Sequence, residues 1–415
     1  MKDRLPFGFR GDRLPSPLVV VALALSLPSI FVLASGAEAQ NYSVVYSFQC
    51  GPNDGQNPDG DLIADSAGNL YGTTYYGGAF GEGTVFELSA SGVETVLYSF
   101  GTAPTDGVEP MYGLARDPAG NLYGTNSNTL FEISPNGTET VLQTFTGGKG
   151  GGKPVGDMLR DSLGNLYGAT SEDGSFDGGT VYRFSTATEK ENVLYSFGGT
   201  AGDAANPSGG LLRGSAGQLY GNAGGGAGGL GSVYEVSKPS ADTVLYSFGG
   251  PPDGMGPIGS LVRDAAGNLY GATLTGGLAS SCGYAGDVGC GTVFKVTPSG
   301  EETVLYTFKD GTDGGIPYSG LVIDSKGNLY GTASQGGVSS GDCAPHGQPL
   351  CGLVFEVTTS GTERVLHSFT GTPGNGAPPD GETPIGGLLR LGNYLYGTTY
   401  NGGAHGCGTV YRLTP

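Results

Sequence analysis

Six aspartates recur at one position of this sequence, each placed four residues before a proline. A ring of such carboxylates could hold a cation, an amine or the hydroxyls of a sugar, and Asp106, Asp253, Asp313 and Asp380 are our ligand-binding candidates. The same spacing is typical of turn chemistry, in which the carboxylate bonds local amides, and this interpretation is favoured. The pairs are Asp54/Pro58, Asp106/Pro110, Asp203/Pro207, Asp253/Pro257, Asp313/Pro317 and Asp380/Pro384, and one further loop has Gly150 before Pro154.

Three tyrosines, Tyr75, Tyr76 and Tyr400, follow apolar runs at the points where variable segments begin. Their rings could stack on a sugar or a peptide. Aromatic side chains at such points are also commonly wedged between structural units. The absence of Trp weakens the expectation of a carbohydrate-stacking site.

Motifs of catalysis are scarce. The three histidines, His346, His367 and His405, form neither a metal-spaced cluster nor a recognisable triad. We find no haem-attachment or phosphate-binding motif, so we expect no cofactor and no metal site. Acid/base chemistry by two carboxylates needs no motif and stays open. The residues therefore favour a binding protein over an enzyme.

A repeated phrase determines which elements position these residues. Leu-Tyr-Gly occurs seven times within similar surroundings, and its tyrosines are 52, 44, 53, 50, 60 and 66 residues apart. A period of this length is typical of propeller blades. Although Gly and Pro number 82 and 25, the glycines recur at fixed places and indicate turns.

Each repeat is predicted to form four strands, as one example shows. Residues 260–263, 269–273, 291–296 and 303–308 are apolar or β-branched runs, separated by turn signals and one variable loop. The last repeat stops after its third strand, whereas a spare fourth strand, residues 43–48, precedes the first repeat. We therefore predict an all-β, seven-bladed β-propeller over residues 40–415, closed by its N-terminal strand. The short turns should share one face, and the variable loops the other, where binding is expected.

The repeat resembles a known family. Gly-Thr-Val-Phe-x-Leu, a turn ending in Gly, and Glu-Thr-Val-Leu-Tyr-Ser-Phe follow one another most clearly in residues 83–100, 291–308 and 352–369. This pattern resembles the GloVer tandem repeat of bacterial "choice-of-anchor" secreted proteins. The resemblance implies an exported bacterial protein, sometimes anchored at the surface, and carries no established activity.

Residues 1–39 resemble a signal peptide, with basic residues, an apolar stretch and the Ala-Glu-Ala cleavage pattern at 37–39. An uncleaved anchor helix is the alternative. The formal net charge of −19 opposes binding to nucleic acid or anionic lipid. We expect a secreted monomer, extracellular or periplasmic, without a membrane span after cleavage. Its partner would be a protein or glycan.

Six cysteines in an exported chain predict disulfides. Cys282–Cys290 and Cys343–Cys351 are each eight residues apart, so each pair could tie one long loop, with reduced or scrambled thiols as the alternative. Closure of the ring predicts Cys50–Cys407, because Cys50 follows the N-terminal strand and Cys407 precedes the strand that should pair with it. Cys50 could instead pair with another protein.

Overall fold

A computed structural model describes residues 41–237, 241–278, 282, 288–309, 311–337, 351–371 and 380–415. Within these ranges the chain forms 29 β-strands and two short 3-10 helices, Gly148–Gly150 and Gly311–Asp313. Residues Gln40–Pro415 form one compact unit. The predicted signal peptide lies outside the described residues.

The strands form seven antiparallel sheets, which we call blades and number in chain order. The N-terminal strand is β1 (Tyr42–Ser47). Blade one contains β2 (Gly55–Pro58), β3 (Ile63–Ala64), β4 (Leu70–Gly77), β5 (Thr84–Leu88) and β6 (Glu94–Ser99). Blade two contains β7 (Ala115–Arg116), β8 (Leu122–Thr125), β9 (Thr129–Ile133) and β10 (Glu139–Thr144). Blade three contains β11 (Gly152–Arg160), β12 (Asn165–Glu172), β13 (Thr180–Ser185) and β14 (Lys190–Ser196).

The remaining blades repeat this order. Blade four contains β15 (Leu212–Arg213), β16 (Leu219–Ala223), β17 (Ser232–Ser237) and β18 (Ala241–Ser247). Blade five contains β19 (Gly254–Arg263), β20 (Leu269–Gly276), β21 (Thr292–Val296) and β22 (Glu302–Thr307). Blade six contains β23 (Val322–Ile323), β24 (Leu329–Ala333), β25 (Leu353–Val357) and β26 (Glu363–Ser368). Blade seven contains β27 (Leu389–Leu391), β28 (Tyr394–Thr399) and β29 (Thr409–Leu413), and β1 completes it.

The predicted closure is confirmed. Strand β1 pairs antiparallel with β29, with Tyr42 opposite Leu413 and Ser47 opposite Thr409. Just past this pairing, Cys50 and Cys407 form the predicted disulfide, with their Cα atoms 5.6 Å apart. The first and last strands of the propeller are therefore joined by a hydrogen-bonded ladder and a covalent bond.

The turn between the first and second strands is held by its aspartate. In blade one, Asp65 Oδ1 accepts hydrogen bonds from the backbone N–H groups of Ala67 and Asn69, at 2.9 and 3.0 Å. Its other oxygen accepts one from the hydroxyl of Tyr71, the tyrosine of the repeated phrase, at 3.1 Å. Burial alone would raise the pKa of Asp65, but these hydrogen bonds outweigh it and lower the pKa. The repeated phrase therefore encodes a self-contained turn.

Aromatic pairs join every blade to the next. The phenylalanine after each fourth strand meets the aromatic ring of the following blade's third strand, with ring centroids 4.8–5.3 Å apart. Such tilted and edge-to-face contacts add to the energy of burial. The seven pairs are Phe48/Phe86, Phe100/Phe131, Phe145/Tyr182, Phe197/Tyr234, Phe248/Phe294, Phe308/Phe355 and Phe369/Tyr411.

The glycine of the repeated phrase makes room for these rings. A Cβ atom on Gly72 would lie 2.8 Å from Phe86 Cζ, and one on Gly271 would lie 2.6 Å from Phe294 Cζ. The ring that fills its space belongs to the next strand of the same blade, because Gly72 and Phe86 are register partners. The glycine is needed for packing within the blade.

Candidate functional site

Seven equivalent segments line the axis of the propeller. We call the loop that leads from one blade's fourth strand into the next blade its entering loop, and the three residues after its proline the channel segment. All seven channel segments contribute to one cavity of about 200 Å³, the channel cavity. In blade one the channel segment lies between β2 and β3, opposite the middle of β4, and in blades three and five it lies within the innermost strand, so the cavity lies inside the channel.

Backbone geometry fixes these segments. The residue before each of the seven prolines has a positive φ, between 51° and 62°, although six of the seven are not glycine. The N–H of one of them, Glu109, donates to the carbonyl of Glu82 in the preceding blade at 2.8 Å. Such a conformation persists only where the surrounding structure imposes it. Contacts between blades therefore hold the channel segments in place.

Three carboxyl groups converge in the channel cavity: Asp59 and Asp61 from blade one, and Asp157 from blade three. Asp61 and Asp157 are hydrogen-bonded to each other. The N–H of Gly387 donates to Asp61 Oδ1 at 2.5 Å, and the N–H of Gly113 donates to Asp157 Oδ1 at 2.7 Å. The hydroxyl of Ser260 in blade five donates to Asp157 Oδ2 at 2.8 Å. Groups from five blades thus orient this pair of carboxyls.

Burial and like charge make Asp59 and Asp61 hard to ionise. Burial, with the charge of Asp157, raises the pKa of Asp59 to about 7. The same two causes raise the pKa of Asp61 well above its usual range, partly offset by the hydrogen bond from Gly387. Tyr112 lines the same cavity, and burial with the charges of Asp59 and Asp157 raises its pKa to about 12. The cavity therefore has a negative potential that favours protons or other cations.

The three tyrosines predicted from the sequence lie together beside this cavity, and we call them the tyrosine cluster. Tyr75 and Tyr76 meet edge to face with centroids 4.5 Å apart, and the charge of Glu109 acts on Tyr75. Burial raises the pKa of Tyr400 to about 12, and the charges of Asp59 and Glu109 and the neighbouring Tyr76 add to this effect. Tyr76 is 40% exposed, whereas Tyr75 and Tyr400 are half-buried. The cluster joins blades one and seven at the rim, and its ligand-binding role stays a prediction.

The predicted aspartate ring has a different geometry. Each carboxylate accepts a hydrogen bond from an aromatic side chain of the preceding fourth strand and from nearby backbone N–H groups. The aromatic partners are Tyr46 for Asp54, Tyr98 for Asp106, Tyr195 for Asp203, Tyr246 for Asp253, Tyr306 for Asp313 and His367 for Asp380, at 2.7–3.2 Å. None of these aspartates is among the residues that line the channel cavity. A ligand-binding role for them stays a prediction, and their local hydrogen bonds account for the repeated motif.

The exceptional loop supports this account. The loop entering blade three has Gly150 in place of the aspartate, and the strand before it has Gln143 in place of the tyrosine. The Gln143 side chain donates instead to the carbonyl of Thr144 at 3.2 Å. Tyrosine and aspartate are thus lost together, as expected for partners in a structural hydrogen bond.

Of the two loop disulfides, Cys282–Cys290 is confirmed, with Cα atoms 5.1 Å apart. Cys343 lies outside the described residues, so the Cys343–Cys351 bond stays a prediction. Within the described ranges, no three His, Cys, Asp or Glu side chains are arranged to hold a metal ion.

Sequence reasoning missed Asp59, Asp61 and Asp157. A signal for them was present in the repeat. The third residue after the proline is Gly or Ser in five blades but is Asp61 in blade one and Asp157 in blade three. A charged residue that replaces glycine or serine at one repeat position indicates a site where the repeat departs from its structural role.

The fold and the repeat define a class: seven-bladed β-propellers built from tandem sequence repeats. The profile of the Gloeobacter/Verrucomicrobia repeat matches residues 28–150, 126–340 and 276–415, and the chain belongs to this family. The resemblance noted in the sequence is thereby confirmed. No curated protein sequence matches the chain.

Solved structures share the fold at low identity. Virginiamycin B lyase from Staphylococcus aureus is 13% identical with a TM-score of 0.58, over 91% of this chain and 99% of that one. Oligogalacturonate lyase from Vibrio parahaemolyticus is 10% identical with a TM-score of 0.52, over 91% and 97%. The extracellular domain of a protein named as a hybrid two-component system, from B. thetaiotaomicron, is 10% identical with a TM-score of 0.57, over 89% and 39%. These similarities concern the propeller fold alone.

Among the described residues, no helix has the length and apolar character that a membrane crossing requires.

Proposed function

We propose that this protein is an exported binding module that recognises a protein or glycan ligand in its central channel, which the ligand enters from the variable face. The observation that carries the proposal is the convergence of Asp59, Asp61 and Asp157 in one cavity. Hydrogen bonds between neighbouring blades, such as that from the Glu109 N–H to the Glu82 carbonyl, hold the loops that lead into the channel segments. A concave site with a few convergent polar groups is typical of ligand recognition.

Export is part of this proposal. The pattern of residues 1–39 supports it, and so do the disulfides, which persist in oxidising compartments. N-terminal sequencing of the protein recovered from the medium or periplasm of a bacterial host tests it. We expect the mature chain to begin at Gln40. Recovery of an intact N-terminus from a cell membrane would support the anchor alternative.

Binding at the channel cavity is tested with glycan and peptide arrays. The wild type is compared with an Asp61→Asn/Asp157→Asn variant, in which the amides can retain hydrogen bonding without the charge. Glu189→Gln is the matched control, because Glu189 is exposed in a turn on the opposite face. We expect saturable binding that the double variant loses and the control keeps. Equal binding by all three proteins would place recognition elsewhere.

A second candidate function is carboxylate-dependent hydrolysis or elimination on a polysaccharide. The pKa of about 7 for Asp59 favours it, because a carboxyl that titrates near neutrality suits general acid/base catalysis. The Asp61–Asp157 pair is less suitable, because its carboxyls are hydrogen-bonded to each other, whereas retaining glycosidases separate theirs by about 5 Å. Release of reducing ends or unsaturated products from a polysaccharide panel, abolished by Asp59→Asn, would establish this candidate.

A further inference from the structure

Aromatic rings and uncompensated negative charge lie side by side at the rim of the channel. Tyr75, Tyr76 and Tyr400 form the aromatic part, the charge of Glu109 acts on Tyr75, and the charge of Asp59 acts on Tyr400. These groups come from three consecutive blades of the closed ring, the seventh, the first and the second. Contacts place this cluster next to the channel segment of blade one: the Asn57 side chain donates to the carbonyl of Tyr400 at 2.8 Å, and Tyr76 is the register partner of Gln56.

Asp59 has no partner of its own in the described part of the chain. Its carboxylate makes none of the hydrogen bonds found there, although it lines the channel cavity and is half-buried. Asp61 and Asp157 use their oxygens on each other and on backbone or hydroxyl donors. An unpaired carboxyl in such a position is costly unless a donor or a cation meets it.

Basic side chains do not supply that cation among the described residues. None of the ion pairs formed there includes Asp59, Asp61, Asp157 or Glu109. Lys153 occupies in blade three the position that Glu109 occupies in blade two, but its ammonium group is paired with Glu172. The negative potential of the rim is thus left for a ligand to neutralise.

We infer that the rim of the channel binds an organic cation, a protonated or methylated amine carried by the ligand, between the tyrosine cluster and Asp59. This inference rests on the proposed function and specifies its ligand class. Aromatic rings attract cations through their electron-rich faces, and several tyrosines beside a carboxylate form the kind of site that holds a quaternary ammonium group.

A neutral sugar fits these observations less well. Its hydroxyls could bond Asp59, but they would bring no positive charge to balance the negative potential of the rim. An organic cation would neutralise charge and contact the tyrosine rings together. A metal ion would need a set of ligands that the described residues do not bring together.

The test compares choline with 3,3-dimethyl-1-butanol, its uncharged isostere, by titration calorimetry on the mature disulfide-bonded protein. Butylammonium serves as the probe for a protonated amine. We expect saturable binding of at least one cation and binding of the isostere at least tenfold weaker. Equal affinity for choline and its isostere would overturn the inference, because it would show an apolar pocket without charge recognition.

Three variants locate the effect. Asp59→Asn removes the charge at nearly constant shape, and Tyr400→Leu removes one ring. We expect each to weaken cation binding about tenfold while the melting temperature stays near that of the wild type. Glu189→Gln, on the opposite face, should bind as the wild type does. Unchanged cation affinity in both rim variants would overturn the inference.

The two proposals can fail separately. Array ligands that bind at the channel cavity, and that choline and butylammonium fail to displace, would refute the cationic site and leave the binding module intact. Absence of saturable binding by cations and array ligands alike would refute both.

Discussion

The ring of Tyr42 lies parallel to the imidazole of His367, with 3.7 Å between the ring centroids and an interplanar angle of 2°. Tyr42 begins the N-terminal strand β1, and His367 lies in β26 of blade six. The Tyr42 hydroxyl also donates to the carbonyl of Asp380, whose carboxylate bonds His367. At the equivalent position of blade one stands Glu94, whose charge acts on Tyr46. Where β1 packs against blade six, a stack of two rings thus takes the place of the glutamate beside a tyrosine.

The stack and the Cys50–Cys407 disulfide hold opposite ends of β1, and the disulfide is the stronger constraint. It spans 357 residues, so in the loop-entropy model the Cys50→Ser/Cys407→Ser variant should lose about 5 kcal/mol of unfolding free energy. Urea denaturation under non-reducing conditions measures the loss. Cys282→Ser/Cys290→Ser, which opens a bridge across eight residues, should lose only about 2–3 kcal/mol. A larger loss for the Cys282/Cys290 variant would contradict the stronger constraint assigned to the Cys50–Cys407 disulfide.

The aromatic pairs between blades should dominate the packing energy. Phe100 is fully buried against Phe131, so Phe100→Ala should lower the free energy of unfolding by about 3–5 kcal/mol. Phe80→Ala is the control, because Phe80 is 54% exposed and its replacement should change stability by less than about 0.5 kcal/mol. Chemical denaturation of both variants checks the contrast. Similar losses in the two would show that the pair contributes no specific packing.

The tyrosine–aspartate bonds of the entering loops should affect stability and leave ligand binding unchanged. Tyr98→Phe removes the hydroxyl that donates to Asp106, so it should lower the free energy of unfolding by about 1.5–3 kcal/mol, the typical contribution of a hydrogen bond to a charged group. Thermal denaturation measures the cost. The affinity for any channel ligand should be that of the wild type. A variant that keeps its stability but loses binding would restore the aspartate ring as a ligand site.

The sequence predicts the architecture closely because each blade is encoded locally. The phrase around Tyr71 contains its own turn aspartate and the glycine that admits a ring, so strand order follows from reading one repeat. Closure and the Cys50–Cys407 bond follow from counting strands, since only a missing fourth strand has to be supplied.

The channel carboxyls could not be placed in the same way. Asp61 and Asp157 are two repeats apart, and they meet only because the radius of a seven-membered ring brings their channel segments together. Nothing within a single repeat encodes that distance. Likewise Tyr75 and Tyr400 belong to the first and last blades, so their proximity depends on closure. The candidate site therefore depends on contacts between repeats, whereas the pattern of the sequence describes contacts within them.

Glutamates at the start of the fourth strands should make the protein less stable at alkaline pH. In blades one, two, three, five and six one carboxyl oxygen is buried without a hydrogen-bond partner; these residues are Glu94, Glu139, Glu191, Glu302 and Glu363. Burial, with the charge of Asp54, raises the pKa of Glu94 to about 8. Burial, with the charge of Asp106, raises that of Glu139 to about 7.

A carboxyl whose pKa is higher in the folded state holds its proton more tightly there than in the unfolded chain. The folded state is therefore favoured below about pH 4.5, and this advantage is lost as the pH rises through 7 to 8. Hydrogen-bonded turn aspartates such as Asp65, whose pKa is lowered, act oppositely and lose their contribution in acid. Stability should consequently be greatest in mildly acidic solution.

Melting curves at pH 5 and pH 8 test this pH dependence. We expect a lower melting temperature at pH 8 for the wild type. The Glu94→Gln/Glu139→Gln variant should show a smaller difference, by about 1 kcal/mol per glutamate after allowance for solvent screening of these half-exposed groups. Glu189→Gln alters an exposed turn and should leave the difference unchanged. A wild type that melts at the same temperature at both pH values would refute the assignment, and so would a double variant with an undiminished difference.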